Sequence, residues 1–300
     1  MSNSATALMV LGVIALAACG DDPADAEPET LVLTFTGLEA LAGGFHYEGW
    51  AIVDEAPVTT GKFNVDSSGG LVDLNGASIA GGAFETGVDL SGATAIVITI
   101  EPNGDVDAVP ASTHIVAGAV TGGSASLSVG DGSALGDDFM GATGSYILAT
   151  PTNGADTNEN SGIWFLSLES GEPAEGLVLP MLPDGWEYEG WAVIEGTPVT
   201  TGRFTATDVV DFDDPFSGTE AGPPFPGEDF LVNAPTGLTF PTDIAGGTAV
   251  ISIEPEPDDS AAPFTLKPLV GGIAADATDH VTYSIPTNLS SFPTGTATIQ

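Results

Sequence analysis

The stretch Gly44-Phe-His-Tyr-Glu-Gly-Trp-Ala-Ile-Val-Asp-Glu-Ala-Pro-Val-Thr-Thr-Gly-Lys-Phe63 returns as Gly185-Trp-Glu-Tyr-Glu-Gly-Trp-Ala-Val-Ile-Glu-Gly-Thr-Pro-Val-Thr-Thr-Gly-Arg-Phe204. Twelve of the twenty positions are identical, at a constant offset of 141 residues. Chance does not give that, so the chain is built from a repeated unit. Farther on, Ala95-Ile-Val-Ile-Thr-Ile-Glu-Pro102 corresponds to Thr248-Ala-Val-Ile-Ser-Ile-Glu-Pro255 at an offset of 153, which also carries Pro110 onto Pro263. The second repeat is therefore longer, and the Asp/Pro-rich stretch from Asp208 to Glu228 is where the extra residues fit.

The texture between these landmarks is short Val/Ile/Thr/Phe-rich runs punctuated by 40 Gly and 22 Pro. No sustained helical stripe follows the N-terminal segment, so strands joined by tight turns are predicted. The expected fold class is all-β: two tandem Ig-like antiparallel β-sandwich domains related by internal duplication. The first covers 31–130. The second covers 176–300 and includes a last edge strand at Thr296–Gln300. Residues 131–175 read as a connecting segment whose runs Gly144–Asn153 and Ser161–Leu168 form a hairpin. In the repeated stretch, Tyr47 to Val53 has large apolar groups on both faces, as in a strand packed on both sides. Trp50 and Trp191 are the expected core anchors, with Tyr47 and Tyr188 beside them. Pro57 is expected to break the ladder, and Gly61 to mark a bulge.

Charge limits the partners. Lys62, Arg203 and Lys267 are the only Lys or Arg residues against 42 Asp and Glu, a formal net charge of −39. Phosphate neutralisation needs clustered cations, so nucleic-acid binding is excluded, as is direct attraction to an anionic membrane face. Self-repulsion of such a surface is screened where the Debye length falls to about 3 Å, near 1 M salt. A halophilic or marine source fits this composition; an ordinary acidic secreted surface is the plainer reading.

The run Ala7–Ala18 is apolar for twelve residues. That is short of the ~20 needed to cross a bilayer but matches the apolar region of a signal peptide, here 1–18. It ends in Leu16-Ala-Ala-Cys19-Gly20, which looks like a bacterial-type lipobox, with Cys19 as the lipid acceptor. The alternative is a plain secretory signal with an incidental cysteine. Residues 19–30 are acidic and poor in apolar groups, as expected of a tether. The expected location is extracytoplasmic, on a membrane held through the lipid. Cys19 is the only cysteine, so neither a disulfide framework nor a thiolate metal site is available.

The order of parts resembles the extracytoplasmic C-terminal domain of anti-sigma-K factors. The matching residues are Tyr47, Gly49, Trp50, Gly61, Phe63, Ala95 to Pro102 and Pro110. They recur as Tyr188, Gly190, Trp191, Gly202, Phe204, Ala249 to Pro255 and Pro263. The resemblance covers about two-thirds of the chain. Members of that family place a cytoplasmic sigma-binding domain and one transmembrane helix before this module, and this sequence contains neither. The resemblance therefore implies a sensing or interaction module, not capture of a sigma factor.

Few patterns carry chemistry. His46, His114 and His280 have no metal-ligand spacing, and there is no nucleophile elbow and no phosphate-binding Gly-rich loop. Glu48 and Glu189 are equivalent carboxylates among aromatics. Glycosidase chemistry needs a pair of carboxyls, and the sequence offers one per repeat, so a strand-face carboxylate at a sheet margin is expected. Asp156, Asn158 and Asn160 are similar to the first half of a calcium loop, and Asp208, Asp211, Asp213 and Asp214 form a second acidic cluster. No cofactor is expected other than calcium at such a loop. The expected function is non-enzymatic sensing, or binding of an envelope protein or ligand. An acidic surface spacer, calcium-binding or adhesive, is the alternative, and a carbohydrate-active enzyme using Glu48 or Glu189 comes last.

Overall fold

Each repeated stretch folds as a β-hairpin closed by two left-handed residues. Asp54 and Glu55 have φ of 49° and 65°, and Glu195 and Gly196 have 52° and 84°. Positive φ at both central residues marks the turn whose twist matches that of paired strands. The structure, a computed structural model, describes residues 29–300. The signal segment 1–18, Cys19 and all but the end of the tether lie outside the described residues.

The first part of the chain supplies β1 (Thr30–Thr36), β2 (His46–Val53), β3 (Ala56–Val65), β4 (Leu71–Val72), β5 (Ala83–Glu85), β6 (Ala93–Glu101), β7 (His114–Ala119) and β8 (Ser124–Ser128). The middle adds β9 (Thr143–Leu148), β10 (Gly162–Trp164), β11 (Leu166–Ser167), β12 (Ala174–Glu175) and β13 (Leu177–Val178). The last part holds β14 (Trp186–Ile194), β15 (Thr197–Phe204), β16 (Gly227–Asp229), β17 (Thr248–Pro255), β18 (Leu269–Gly272), β19 (Tyr283–Ile285) and β20 (Thr294–Ile299). The fold is all-β, with antiparallel sheets in a sandwich-like arrangement. Nine strands run in the order β4-β3-β2-β6-β7-β8-β20-β1-β5, and four in the order β15-β14-β17-β18. Strand β9 pairs with β10, β13 and β19 between them. The expected hairpin of the connecting segment is thus formed by β9 and β10.

The two repeats adopt one strand order and one register. Tyr47 faces Phe63 and Tyr188 faces Phe204, with ring centroids 5.4 and 5.7 Å apart. Gly49 pairs with Gly61 while Trp50 pairs with Thr59, so Thr60 is the extra residue of a bulge, and Thr201 repeats it. Gly61 has φ +135°, and a Cβ there would lie 2.8 Å from Phe84 Cδ1. The expected bulge is present. Pro57 does not break the ladder; it pairs with Ile52, and Pro198 with Val193. At these positions β3 and β15 are edge strands, where a missing N–H costs no interior bond.

Strand β20 differs from its expected place. Instead of edging the second repeat, it lies inside the nine-stranded sheet between β8 and β1. Alternation in Thr294–Ile299 reveals a strand and its buried face but not its partner. One contiguous core runs through the molecule, joining Leu31, Tyr47, Phe63 and Ile98 with Tyr146, Tyr188, Phe204 and Phe264.

Candidate functional site

Acidic side chains gather beside each tryptophan anchor; those that converge are Glu48 and Asp105 with His46 in the first repeat, and Glu189, Glu254 and Asp258 in the second. In the first repeat, β2 lies between β3 and β6, which sets Glu48 opposite Lys62 on one side and Thr99 on the other. Trp50 Nε1 donates to Thr99 Oγ1 at 2.9 Å, and Thr99 in turn donates to Glu101. Thr59 donates to Glu48 Oε1, and the Ala111 N–H donates to Glu101 Oε1 at 3.0 Å. The third carboxylate, Asp105, receives Lys62 Nζ at 2.7 Å, and the same ammonium lies 3.3 Å from Glu48 Oε2. Burial works against the charged lysine, yet its bonds to Asp105 and Glu48 prevail and raise its pKa, while Lys62 holds Asp105 below the usual carboxylate range. Burial, with Lys62 close by, lowers the His46 pKa.

The second repeat reproduces this frame. Trp191 Nε1 donates to Ser252 Oγ at 2.8 Å, and Ser252 donates to Glu254. Thr200 donates to Glu189 Oε1 at 2.5 Å, and the Phe264 N–H donates to Glu254 Oε1 at 2.9 Å. Asp258 completes the trio. Arg203 occupies the register position of Lys62 but pairs instead with Glu256 Oε2 at 2.5 Å and Glu187 Oε2 at 3.4 Å. Burial pushes Glu189 up to about 7 and Glu254 up to about 8, and it raises Asp258 as well.

Glu48 and Glu189 are therefore not margin residues. They lie on interior strands, 1% and 5% exposed. Nor is there one carboxylate per repeat, because Glu101, Asp105, Glu254 and Asp258 join them. Sequence reasoning passed over these four. Offset 153 relates Glu101 to Glu254 and Asp105 to Asp258, so the alignment already made through Pro102 and Pro255 held the signal.

A pocket of about 590 Å³ opens over the second trio, walled by Trp191, Pro198, Val199, Phe216 and Pro235, with Glu189, Asp258 and Asp259 on its polar side. The volume is in the range of small-ligand sites. Tyr47, Tyr188, Trp50 and Trp191 are buried core groups, and the two tyrosines donate to the carbonyls of Glu39 and Pro180.

The calcium-like loop lies elsewhere. Asp156, Asn158 and Asn160 line one cleft of about 450 Å³ together with Asp243 and Asp279. Asn160 Nδ2 donates to Asp243 Oδ2 and to the Ala277 carbonyl, both at 3.3 Å, and Asn153 Nδ2 donates to the Thr157 carbonyl at 2.6 Å. These amide donors tie the loop to its surroundings, while Asn160 Oδ1 is buried without a hydrogen-bond partner. The long Asp208–Glu228 stretch feeds β16, whose Glu228 and Asp229 are fully buried. Glu228 accepts from Ser217 and from the Phe216 and Asp229 N–H groups; Asp229 accepts from Trp164 Nε1 at 2.8 Å and the Thr152 N–H at 2.8 Å. Asp211 bonds the Gly227 N–H at 2.9 Å, so the insertion is pinned by its own acids. No family model, curated protein or solved structure matches this chain.

Proposed function

We propose that the chain is a lipid-anchored, extracytoplasmic binding or sensing protein, built from a duplicated four-stranded unit and without enzymatic activity. The observation that carries this reading is the pocket beside Trp191, where apolar walls meet the carboxylates of Glu189, Asp258 and Asp259. A surface of −39 with three Lys and Arg residues selects for a cationic partner or ligand, both in steering and in docking. The lipobox-like segment at Cys19 and the resemblance to anti-sigma-K extracytoplasmic domains support an envelope setting and a non-catalytic role. The carbohydrate-active reading, which uses Glu48 or Glu189, is weaker: the two residues are 1% and 5% exposed, and each is bonded to a threonine hydroxyl.

The test places a photocrosslinking residue at Ala261, an exposed position on the pocket lining, in cells retaining native membranes. A single discrete adduct is expected, lost when Pro235→Arg puts a like charge on the rim. Diffuse adducts that Pro235→Arg leaves unchanged overturn the reading.

A further inference from the structure

The two clusters differ in composition and in charge: the first groups His46 with Glu48 and Asp105 and is entered by a protein cation, whereas the second is three carboxylates and none of the three Lys and Arg residues bridges them. Lys62 reaches Glu48 and Asp105. The residues that replace His46 and Asn103 in the second repeat are Glu187 and Glu256, and these two draw Arg203 away. The guanidinium interacts with Glu187, Glu256, Glu189 and Asp258, where the ammonium of the first repeat interacts with Glu48 and Asp105.

The geometry of the second trio is convergent. One ligating oxygen from each of Glu189, Glu254 and Asp258 lies within 4.8 Å of the others. Glu189 Oε2 and Glu254 Oε2 are buried without a hydrogen-bond donor, while Oε1 of each is taken by Thr200 or by Ser252 and Phe264. Their residues are 5% and 1% exposed. Buried carboxylate oxygens facing one another require either protons or a cation between them.

We propose that Glu189, Glu254 and Asp258 form a binding site for a divalent metal ion, with calcium as the ion. All three donors are hard carboxylate oxygens, which suit calcium or magnesium rather than zinc or copper. Calcium–oxygen bonds run about 2.3–2.6 Å, so oxygens up to 4.8 Å apart span one ion. Asp258 is only half-buried and lines the pocket, which supplies an entry path and room for the waters that complete a six- to eight-fold shell. In the first repeat Lys62 is the built-in counterpart, an ammonium set against Glu48 and Asp105. The raised pKa values agree: without an ion, burial leaves Glu189 and Glu254 to take up protons, which metal binding would release. Arg203, Lys267, Asp213 and Asp259 also act on these groups and shift the balance of that exchange. The site stands whether or not a partner occupies the neighbouring pocket.

The test uses the full chain, stripped with chelator and titrated with calcium by calorimetry at matched ionic strength. Terbium luminescence sensitised through tryptophan provides a second readout. One saturable calcium is expected above the background of surface carboxylates. Glu189→Gln and Asp258→Asn, which keep shape and lose charge, should weaken it by at least about tenfold, the loss that even outer-shell partners cause. Asp156→Asn is the control and leaves affinity unchanged. Trp191→Phe lowers the terbium signal without changing calcium stoichiometry. Absence of saturable binding overturns the proposal, as does binding lost in Asp156→Asn but kept in Glu189→Gln. Tighter binding of magnesium than of calcium overturns the choice of ion.

Discussion

Lys62 and Arg203 hold the same register position, opposite Glu48 and Glu189, yet their charges go to different partners. Lys62 turns onto the carboxylate across from it, at 3.3 Å. Arg203 turns to Glu187 and Glu256. The exchange of partner goes with Glu187 and Glu256 standing where the first repeat has His46 and Asn103.

Removing the ammonium should free the first cluster, His46, Glu48 and Asp105, to take an ion of its own. Lys62→Met is expected to raise calcium stoichiometry from one to two. In chelator the variant should lose about 1–3 kcal/mol, because Glu48 is left buried without its partner. Urea unfolding with and without calcium measures both effects, and an unchanged stoichiometry would show that the first trio lacks a binding geometry.

The buried acids set an unusual pH dependence. Glu39, Glu189 and Asp211 are pushed up to about 7, and Glu228 and Glu254 to about 8, each chiefly by burial. A folded pKa above the unfolded value means that the native state holds protons the unfolded chain has released. The stability these groups contribute is complete below the ordinary carboxylate range and is lost as pH rises towards about 8. Without calcium, the urea midpoint should therefore be higher at pH 5 than at pH 8, and Glu189→Gln should flatten part of the slope. Asp66, Asp73, Asp89 and Asp105 work in the opposite sense, since hydrogen bonds lower their pKa values, but only at more acidic pH. A midpoint that climbs steadily from pH 5 to 8 would contradict the assignment.

Glycine substitutions should rank by crowding. At Gly61 a Cβ meets Phe84, and Gly61→Ala is expected to cost about 1–3 kcal/mol. At Gly76, φ is +82° but nothing lies within 4 Å, so Gly76→Ala should cost about 1 kcal/mol from backbone strain alone. Equal midpoints in denaturant would mean that Phe84 yields freely.

Membrane retention depends on the thiol if the lipobox reading holds. Cys19→Ala should move nearly all of the protein from the membrane fraction to the soluble fraction. Continued retention on fractionation would refute lipidation.

The hairpin from Tyr47 to Phe63 was legible because its aromatic spacing recurs at Tyr188 to Phe204, and large apolar groups on both faces of a short run mark a strand packed on both sides. The trio was not, because Glu189 and Glu254 are far apart in sequence and become neighbours only through the pairing of β14 with β17. No residue pattern states a register across so long a gap. Asp54-Glu55 was hidden for another reason: neither residue is the Asn or Gly usual at left-handed turn positions, so attention fell on Pro57. Asp156, Asn158 and Asn160 were visible as a loop, but the ties of Asn160 to Asp243 and Ala277 reach more than eighty residues along the chain.

The placement of β20 has a kinetic side. Thr34 and Thr296, joined by a hydroxyl hydrogen bond across β1 and β20, are 262 residues apart in the chain. A polypeptide delivered N-terminus first leaves β1 with only the short β5 to lean on until nearly everything else has emerged. Contacts of such long span are slow to close and leave strand edges open meanwhile. Completion of the widest sheet is thus a late event in folding. A chain stalled before it would expose β1 and β8 together, making those two strands the place where a chaperone, or aggregation, would take hold.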